Sequence, residues 1–200
     1  MPVQLFQSLL LILFIILPLW VLYRVPVYKD LKKQGIKFLN VKERLLLIFI
    51  VYLGFVIALT IVPVQISAFQ NPKEPGLNFI PFINTYQHLL YTISSPDNTM
   101  TNFALENIFG NILLFIPAGI LLPCIFPAYR NAWKTAANCF YFSLTIELIQ
   151  LLLRQFGTYR TVDIDDIILN TLGGIIGFLL FTIFNRLHIF PQNKHVKMIA

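Results

Sequence analysis

The chain has 200 residues, of which 57% are hydrophobic and only 12% are charged. Soluble domains carry about 25% charged residues, so this composition excludes an ordinary soluble globular protein and indicates an integral membrane protein. The formal net charge is +6, but the cations lie in short segments beside apolar stretches, as in loops at a membrane surface, and we therefore expect no nucleic-acid partner.

Five windows of about 20 mostly apolar residues are long enough to cross a hydrocarbon layer of about 30 Å. They cover residues 4–23, 45–64, 107–126, 133–153 and 167–184. The predicted fold class is therefore all-α: a polytopic membrane protein with five transmembrane helices in a bundle. The expected divisions are two N-terminal helices with a basic loop over 1–64, a long loop with three helices over 65–185, and a basic tail over 186–200.

Lysine and arginine are distributed unevenly between the connecting segments. The first loop carries seven cations, whereas the second, over 65–106, carries only Lys73. Arg130 and Lys134 follow the third span, and three more cations lie in the tail. Because short loops rich in Lys and Arg stay in the cytoplasm, we predict an N-terminus outside and a C-terminus in the cytoplasm.

The long second loop contains the stretch NFIPFINTYQHLLYTI. Its apolar residues recur at spacings of three and four, at Phe79, Phe82, Ile83, Tyr86, Leu90 and Ile93. This spacing is typical of an amphipathic helix. Two placements stay open: the segment lies in the outer leaflet, or it packs on top of the bundle.

The third and fourth spans each carry polar residues on one helical face. Asn107 and Asn111 are four residues apart in the third span, and Pro117 lies inside it, where a proline removes a backbone hydrogen bond and favours a kink. The fourth span places polar residues at offsets of four, three and four, at Ser143, Glu147, Gln150 and Arg154. Glu147 lies inside the fourth span, where an ionisable group is costly unless it is paired or hydrated. We therefore expect it to face the bundle.

The fifth span begins in the stretch YRTVDIDDIILNTLGG. Asp166 and Asn170 share a helical face with Gly173 and Gly177, and these two glycines form a GxxxG pair that permits close approach of another helix. Three spans thus place polar residues at one depth on the predicted outer side. The cluster has a structural interpretation as caps and interhelical hydrogen bonds, and a functional one as a pocket open to the outer surface.

Several ligand chemistries fit these residue types. Arginine suits phosphate or carboxylate, whereas carboxylates suit an ammonium group or a divalent cation. Asp163, Asp165 and Asp166 are candidate ligands for such a cation, although helix caps use the same residue type. We predict no other cofactor. No recognisable catalytic motif is present, so enzymatic activity stays open, with Glu147 as the candidate general acid or base.

Three sequence blocks, ENIFGNILLFIPAGILLP, SLTIELIQLLL and YRTVDIDDIILNTLGGIIG, resemble the VanZ-like family of bacterial membrane proteins. The resemblance covers about residues 78–177 and includes NFIPF at residues 78–82. The positions that match the family pattern in the first block are Asn111, Leu114, Phe115, Pro117 and Gly119. Those in the second are Ser143, Ile146, Glu147 and Gln150. Those in the third are Arg160, Asp163, Asp166, Asn170, Thr171, Gly173 and Gly174.

The resemblance implies a role in low-level resistance to lipid-tailed glycopeptide antibiotics such as teicoplanin. We therefore expect a protein of the bacterial cytoplasmic membrane that recognises an envelope amphiphile at the outer leaflet. The expected partners are membrane lipids or lipid-linked wall precursors, with a lipoglycopeptide antibiotic as a further candidate. The alternative is a membrane enzyme that modifies such a lipid. The oligomeric state stays open.

Nine residues form the predicted ligand-binding site: Asn107, Asn111, Glu147, Gln150, Arg154, Arg160, Asp163, Asp166 and Asn170. Arginine is expected to hold an anionic head group, while Glu147 and the aspartates hold amines or orient that arginine. Structural roles are expected for Pro117, Gly119, Gly173, Gly174 and Gly177.

Overall fold

A computed structural model describes most of the chain. The described residues are 2–33, 35, 41–61, 77–83, 86, 90, 99–155 and 162–187. The side chains of residues 2–6, 31, 77, 99–104 and 154 lie outside this description.

Five long helices dominate the described part of the chain. They are α1 (Pro2–Lys33), α2 (Val41–Thr60), α3 (Thr99–Ile125), α4 (Ala132–Arg154) and α5 (Ile164–Arg186). All five are long and apolar enough to cross a membrane, so the prediction of an all-α membrane protein with five spans is confirmed. The helices extend beyond most of the apolar windows, because helical hydrogen bonding continues into polar residues at the membrane boundary.

Short connections and caps determine where α4 and α5 begin. A single 3₁₀ turn, Pro127–Tyr129, connects α3 to α4. The Asn131 side chain caps α4 by accepting the backbone N–H groups of Trp133 at 2.9 Å and Lys134 at 3.2 Å. Asp163 caps α5 in the same way. Each cap satisfies backbone donors that the first helical turn leaves unpaired.

Helix α1 packs beside α2 and is otherwise largely exposed along its apolar surface. It ends ten residues beyond the predicted window, at Lys33. Near the basic end of the pair, the Arg24 guanidinium forms an ion pair with the buried Glu43 carboxylate of α2. A buried carboxylate needs such a partner, because an unpaired charge is costly away from water.

Helix α2 in turn contacts the centre of the bundle. The Tyr52 hydroxyl donates to the Leu114 carbonyl of α3 at 2.9 Å. Pro117 and Pro123 lie inside α3, and the helix continues through both. The buried core joins α2, α3 and α4 through Tyr52, Val56, Phe115, Ala118, Leu122, Cys139 and Ile146.

Glycines bring the backbones of α3 and α5 into direct contact. A methyl group at Gly173 would collide with the Ile112 carbonyl, and one at Gly177 would lie 2.9 Å from the Gly119 Cα. On the neighbouring side, a methyl group at Gly174 would lie 2.8 Å from the Cys139 Cβ of α4. These separations are shorter than real Cβ contacts, so the packing requires glycine at each position.

Two dipeptides add a small β interaction to the helical fold. Strand β1 (Leu77–Asn78) pairs in parallel with β2 (Val162–Asp163), with Asn78 opposite Asp163. This pairing fixes the loop between α2 and α3 to the start of α5. Beyond β1, Phe79, Phe82, Tyr86 and Leu90 of the predicted amphipathic segment are exposed. Ile93 lies outside the described residues.

Candidate functional site

The start of α5 is built around the Asp163 carboxylate. Its Oδ1 accepts the backbone N–H of Asp165 at 2.9 Å and the side-chain amide of Asn78 at 2.9 Å. The Asn78 Oδ1 in turn accepts the Ile80 N–H at 3.2 Å. The Asp163 carboxylate thus caps α5 and also holds the loop that precedes α3, although that loop is far from Asp163 in sequence.

Asp165 holds the same loop at Phe82. Its side chain is only 1% exposed, and its Oδ1 accepts the Phe82 N–H at 2.7 Å. Phe82 has a φ of 60°, a left-handed conformation that is uncommon for a residue other than glycine. The hydrogen bond to a carboxylate helps to maintain this strained turn.

Asp166 points to a different neighbour. Its Oδ1 accepts the Asn111 amide at 2.6 Å and the Asn107 amide at 3.4 Å. The Asn111 amide also donates to the Asn107 Oδ1 at 3.2 Å. The polar faces of α3 and α5 are therefore joined by one hydrogen-bonded group of three side chains.

Helix α4 contributes Glu147 and Gln150. Glu147 is 3% exposed, and its Oε2 accepts the Asp163 N–H at 3.3 Å. The Gln150 amide donates to the Thr60 carbonyl at 2.8 Å. Because Thr60 ends α2, the two residues connect α4 to both α2 and the start of α5.

A cavity of about 250 Å³ lies between these helix ends. Six of the predicted binding residues line it, namely Asn107, Asn111, Glu147, Gln150, Asp166 and Asn170. Asp163 instead holds the loop and is not among the described lining residues. The Arg154 side chain and the whole of Arg160 lie outside the described residues, so their predicted roles stay predictions.

The cavity also includes residues that spacing and resemblance did not identify. Glu106 and Gly110 form its exposed α3 edge, and Thr60 and Leu59 contribute the end of α2. Glu106 lies one turn before Gly110, on the helix face that holds Asn107 and Leu114. Helical periodicity could therefore have assigned Glu106 and Gly110 to the cavity. No comparable signal exists for Thr60, because α2 carries no distinctive motif.

The candidate metal ligands have separate hydrogen-bond partners. Asp163 and Asp165 turn to the loop, whereas Asp166 turns to α3. Within the described ranges, no three His, Cys, Asp or Glu side chains come together as a metal site would require. In this structure the three aspartates act as hydrogen-bond acceptors for different partners.

Comparisons with known proteins match the region that contains the cavity. The family model described as VanZ/LLP1 matches residues 49–185, which begins inside α2. The chain is also 32% identical over 109 residues to "Protein VanZ" from Enterococcus faecium, covering 54% of this chain and 62% of that protein. No solved structure matches the chain. Because the family model matches more than half of the chain, this multi-pass membrane protein belongs to the VanZ/LLP1 family.

Proposed function

We propose that this protein recognises a cell-envelope amphiphile at the outer leaflet of a bacterial cytoplasmic membrane and so lowers susceptibility to lipoglycopeptide antibiotics such as teicoplanin. The amphiphile is a lipid or a lipid-linked wall precursor. The observation that carries the proposal is the polar cavity of about 250 Å³ between the ends of four helices. Ionisable groups within a membrane bundle are costly, and they therefore indicate a functional site by default. A concave pocket with a few convergent polar groups is the usual form of a ligand site.

The outer location is part of this proposal and rests on the distribution of charge. The segment from α1 to α2 contains seven cations, and Arg130, Lys134 and Arg186 lie at the same end of the bundle. The cavity lies at the opposite end, where α2 and α4 end and α5 begins. The positive-inside tendency therefore favours an extracytoplasmic cavity.

The surface beside the cavity suits a molecule with a polar head and an apolar tail. Glu106 and Gly110 at the cavity edge are exposed, and Phe109 and Leu113 are exposed next to them on α3. Residues three and four apart are neighbours on a helix surface. A ligand with its head in the cavity therefore has lipid-facing side chains along which its tail can lie.

The connection to antibiotics comes from the family. The E. faecium relative is named "Protein VanZ". The three sequence blocks resemble a family associated with teicoplanin resistance. A lipid-tailed glycopeptide and its lipid-linked target are both amphiphiles at the outer leaflet. If the cavity binds the glycopeptide or its lipid-linked target, fewer antibiotic molecules reach that target.

The test is the minimal inhibitory concentration of teicoplanin, beside vancomycin, in a susceptible Gram-positive host. The strains express wild type, Glu147→Gln, Arg160→Ala or the lipid-facing control Leu148→Ile at matched membrane levels. We expect a rise for teicoplanin only, retained in the control. Loss of one charge-assisted contact weakens binding by about tenfold or more, so the rise should disappear in Glu147→Gln and Arg160→Ala.

Other outcomes separate the competing functions. No rise in any strain would remove the protein from antibiotic susceptibility. A rise that survives Glu147→Gln but is lost in Gly173→Leu would favour a role as a structural partner, because only helix packing would then matter. Loss of the head group from a labelled envelope lipid, abolished by Glu147→Gln, would favour the enzymatic alternative.

A further inference from the structure

The floor of the cavity contains a buried acceptor without a hydrogen-bond partner. Asn170 is 3% exposed, and its amide nitrogen donates to the Ser143 hydroxyl oxygen at 2.8 Å. Its Oδ1 has no partner among the described residues. A buried carbonyl oxygen left unpaired costs free energy. This atom lies on a residue that lines the cavity, so a donor on a ligand there would satisfy it.

The walls above this acceptor carry carboxylates. Asp166 is oriented by the Asn111 and Asn107 amides, both of which donate to its Oδ1. A carboxylate accepts about four hydrogen bonds, so Asp166 retains acceptor capacity. Glu147 on α4 and Glu106 at the cavity edge add two further carboxyl groups.

The charged residues in the described lining are all acidic. Its described residues include Glu106, Glu147 and Asp166 but no Lys, Arg or His. An anionic head group would lie beside the Glu106 and Asp166 carboxylates at a membrane boundary, where water screens charge less effectively than in bulk solution. The described lining thus favours a cation that also donates hydrogen bonds.

We propose, building on the amphiphile recognition above, that the cavity binds a primary ammonium group. The ammonium donates N–H bonds to Asn170 Oδ1 and to the Asp166 and Glu147 carboxylates. A primary ammonium has three donors and no acceptor, which matches this set. A quaternary ammonium has no N–H for Asn170, and a divalent metal lacks a converging set of three ligands among the residues described. The amine belongs either to a lipid head group or to a soluble molecule, and the two sources are separable by experiment.

Binding of defined lipids to the full-length protein in detergent, measured by native mass spectrometry, tests this chemistry. The probes share the same acyl chains and are phosphatidylethanolamine, its N-acetyl derivative and phosphatidylcholine. We expect phosphatidylethanolamine to bind about tenfold more tightly than either of the others, which is the factor for one charge-assisted hydrogen bond. Dodecylamine and ethanolamine are added to distinguish a tailed amine from a soluble one.

Two variants locate the binding. Asp166→Asn preserves the shape of the side chain and should remove the preference for phosphatidylethanolamine. Gly110 lines the cavity, so we expect Gly110→Phe to obstruct it without changing its charges. A Cβ at Gly110 has no neighbouring atom within 4 Å, so the substitution should not disturb the helix packing. Leu179→Phe, which also adds an aromatic ring at a lipid-facing position of α5, is the matched control. Unchanged thermal unfolding of each variant verifies that it is folded.

The outcomes distinguish the two proposals. Equal binding of all three lipids in wild type, reduced by Gly110→Phe, overturns the ammonium inference and leaves amphiphile recognition in place. Binding of ethanolamine as tightly as dodecylamine supports the amine but overturns an amphiphile as its source. Binding of every probe that is indifferent to Gly110→Phe overturns both.

Discussion

Asp163, Asp165 and Asp166 belong to one helix start but have different functions in the fold. Asp163 and Asp165 accept donors from the loop that contains Asn78 and Phe82, whereas Asp166 accepts from α3 beside the cavity. Adjacent side chains on a helix point in directions about 100° apart. Neighbouring aspartates can therefore have different roles, some holding the loop and one lining the cavity. Substitutions at Asp163 or Asp165 should therefore affect stability first, and those at Asp166 should affect the ligand.

The clearest residue-scale prediction concerns Asp165. Asp165→Ala leaves the Phe82 N–H without its carboxylate partner, and we expect the free energy of unfolding to fall by about 2 kcal/mol. Thermal unfolding of the purified protein in detergent measures this change. The control is Asp30→Ala, because Asp30 is an exposed member of a surface pair with Lys33 and such pairs contribute little. Equal unfolding temperatures for the two variants would contradict the assignment.

Helical periodicity is sufficient to predict that six of the cavity residues lie on the inward faces of three helices. Asn107 with Asn111, and Asp166 with Asn170, share faces because the helical repeat fixes their directions. The partners of Asp163 and Asp165 are not predictable in this way. Asn78 and Phe82 lie 85 and 83 residues away, and a contact at that separation depends on tertiary packing. Nothing in the local sequence assigns Thr60 to the cavity either.

At the scale of elements, α3 and α5 form the closest helix pair. Backbone contact at Gly119, Gly173 and Gly177 sets how near the two polar faces approach, and so determines the width of the cavity between them. The sequence identifies the GxxxG spacing of α5, but it does not distinguish Gly119, which packs tightly, from Gly110, which borders open space. That difference depends on which surface of α3 faces α5.

The two kinds of glycine in α3 should respond in opposite ways. Gly119→Ala places a methyl group against the Gly174 carbonyl, and we expect a loss of about 1–3 kcal/mol in unfolding free energy. Gly110→Ala meets no atom within 4 Å and should be neutral or stabilising by up to about 1 kcal/mol, because alanine is the better helix former. Unfolding by titration with SDS measures both. A loss at Gly110 equal to that at Gly119 would refute this account of the α3–α5 interface.

At the scale of the whole molecule, most acidic residues of the described bundle lie at one end and most basic residues at the other. Glu106, Glu147, Asp163, Asp165 and Asp166 lie at the cavity end, whereas Arg24, Lys32, Lys33, Arg130 and Arg186 lie at the other end together with Asp30 and Glu43. A second cavity of about 550 Å³ lies towards that end and is largely apolar and aromatic, with Phe49, Tyr52, Phe126, Tyr129 and Phe142 among its lining residues. The polar and apolar cavities thus occupy different halves of the bundle, and among the described lining residues the carboxylates belong to the polar cavity.

This polarity predicts the orientation of the protein in the membrane. In a background without Cys124 and Cys139, we expect Gln155→Cys to react with a membrane-impermeant maleimide added to intact cells. Asn185→Cys should react at least about tenfold more slowly until the cells are permeabilised, because the positive-inside tendency places the end of α5 in the cytoplasm. Both positions are exposed in the fold. The reverse labelling pattern would place the acidic cavity in the cytoplasm and exclude a ligand from the outer leaflet.

The β1–β2 pairing also imposes an order on biogenesis. Asn78 is synthesised 85 residues before its partner Asp163, and helices enter the membrane in sequence before they associate. The loop and the first four helices must therefore wait for α5, which carries the cap, the carboxylate that holds Phe82 and the floor of the cavity. A chain that stops before residue 163 lacks the carboxylates that hold Asn78 and Phe82. Completion of α5 thus determines whether the polar cavity forms.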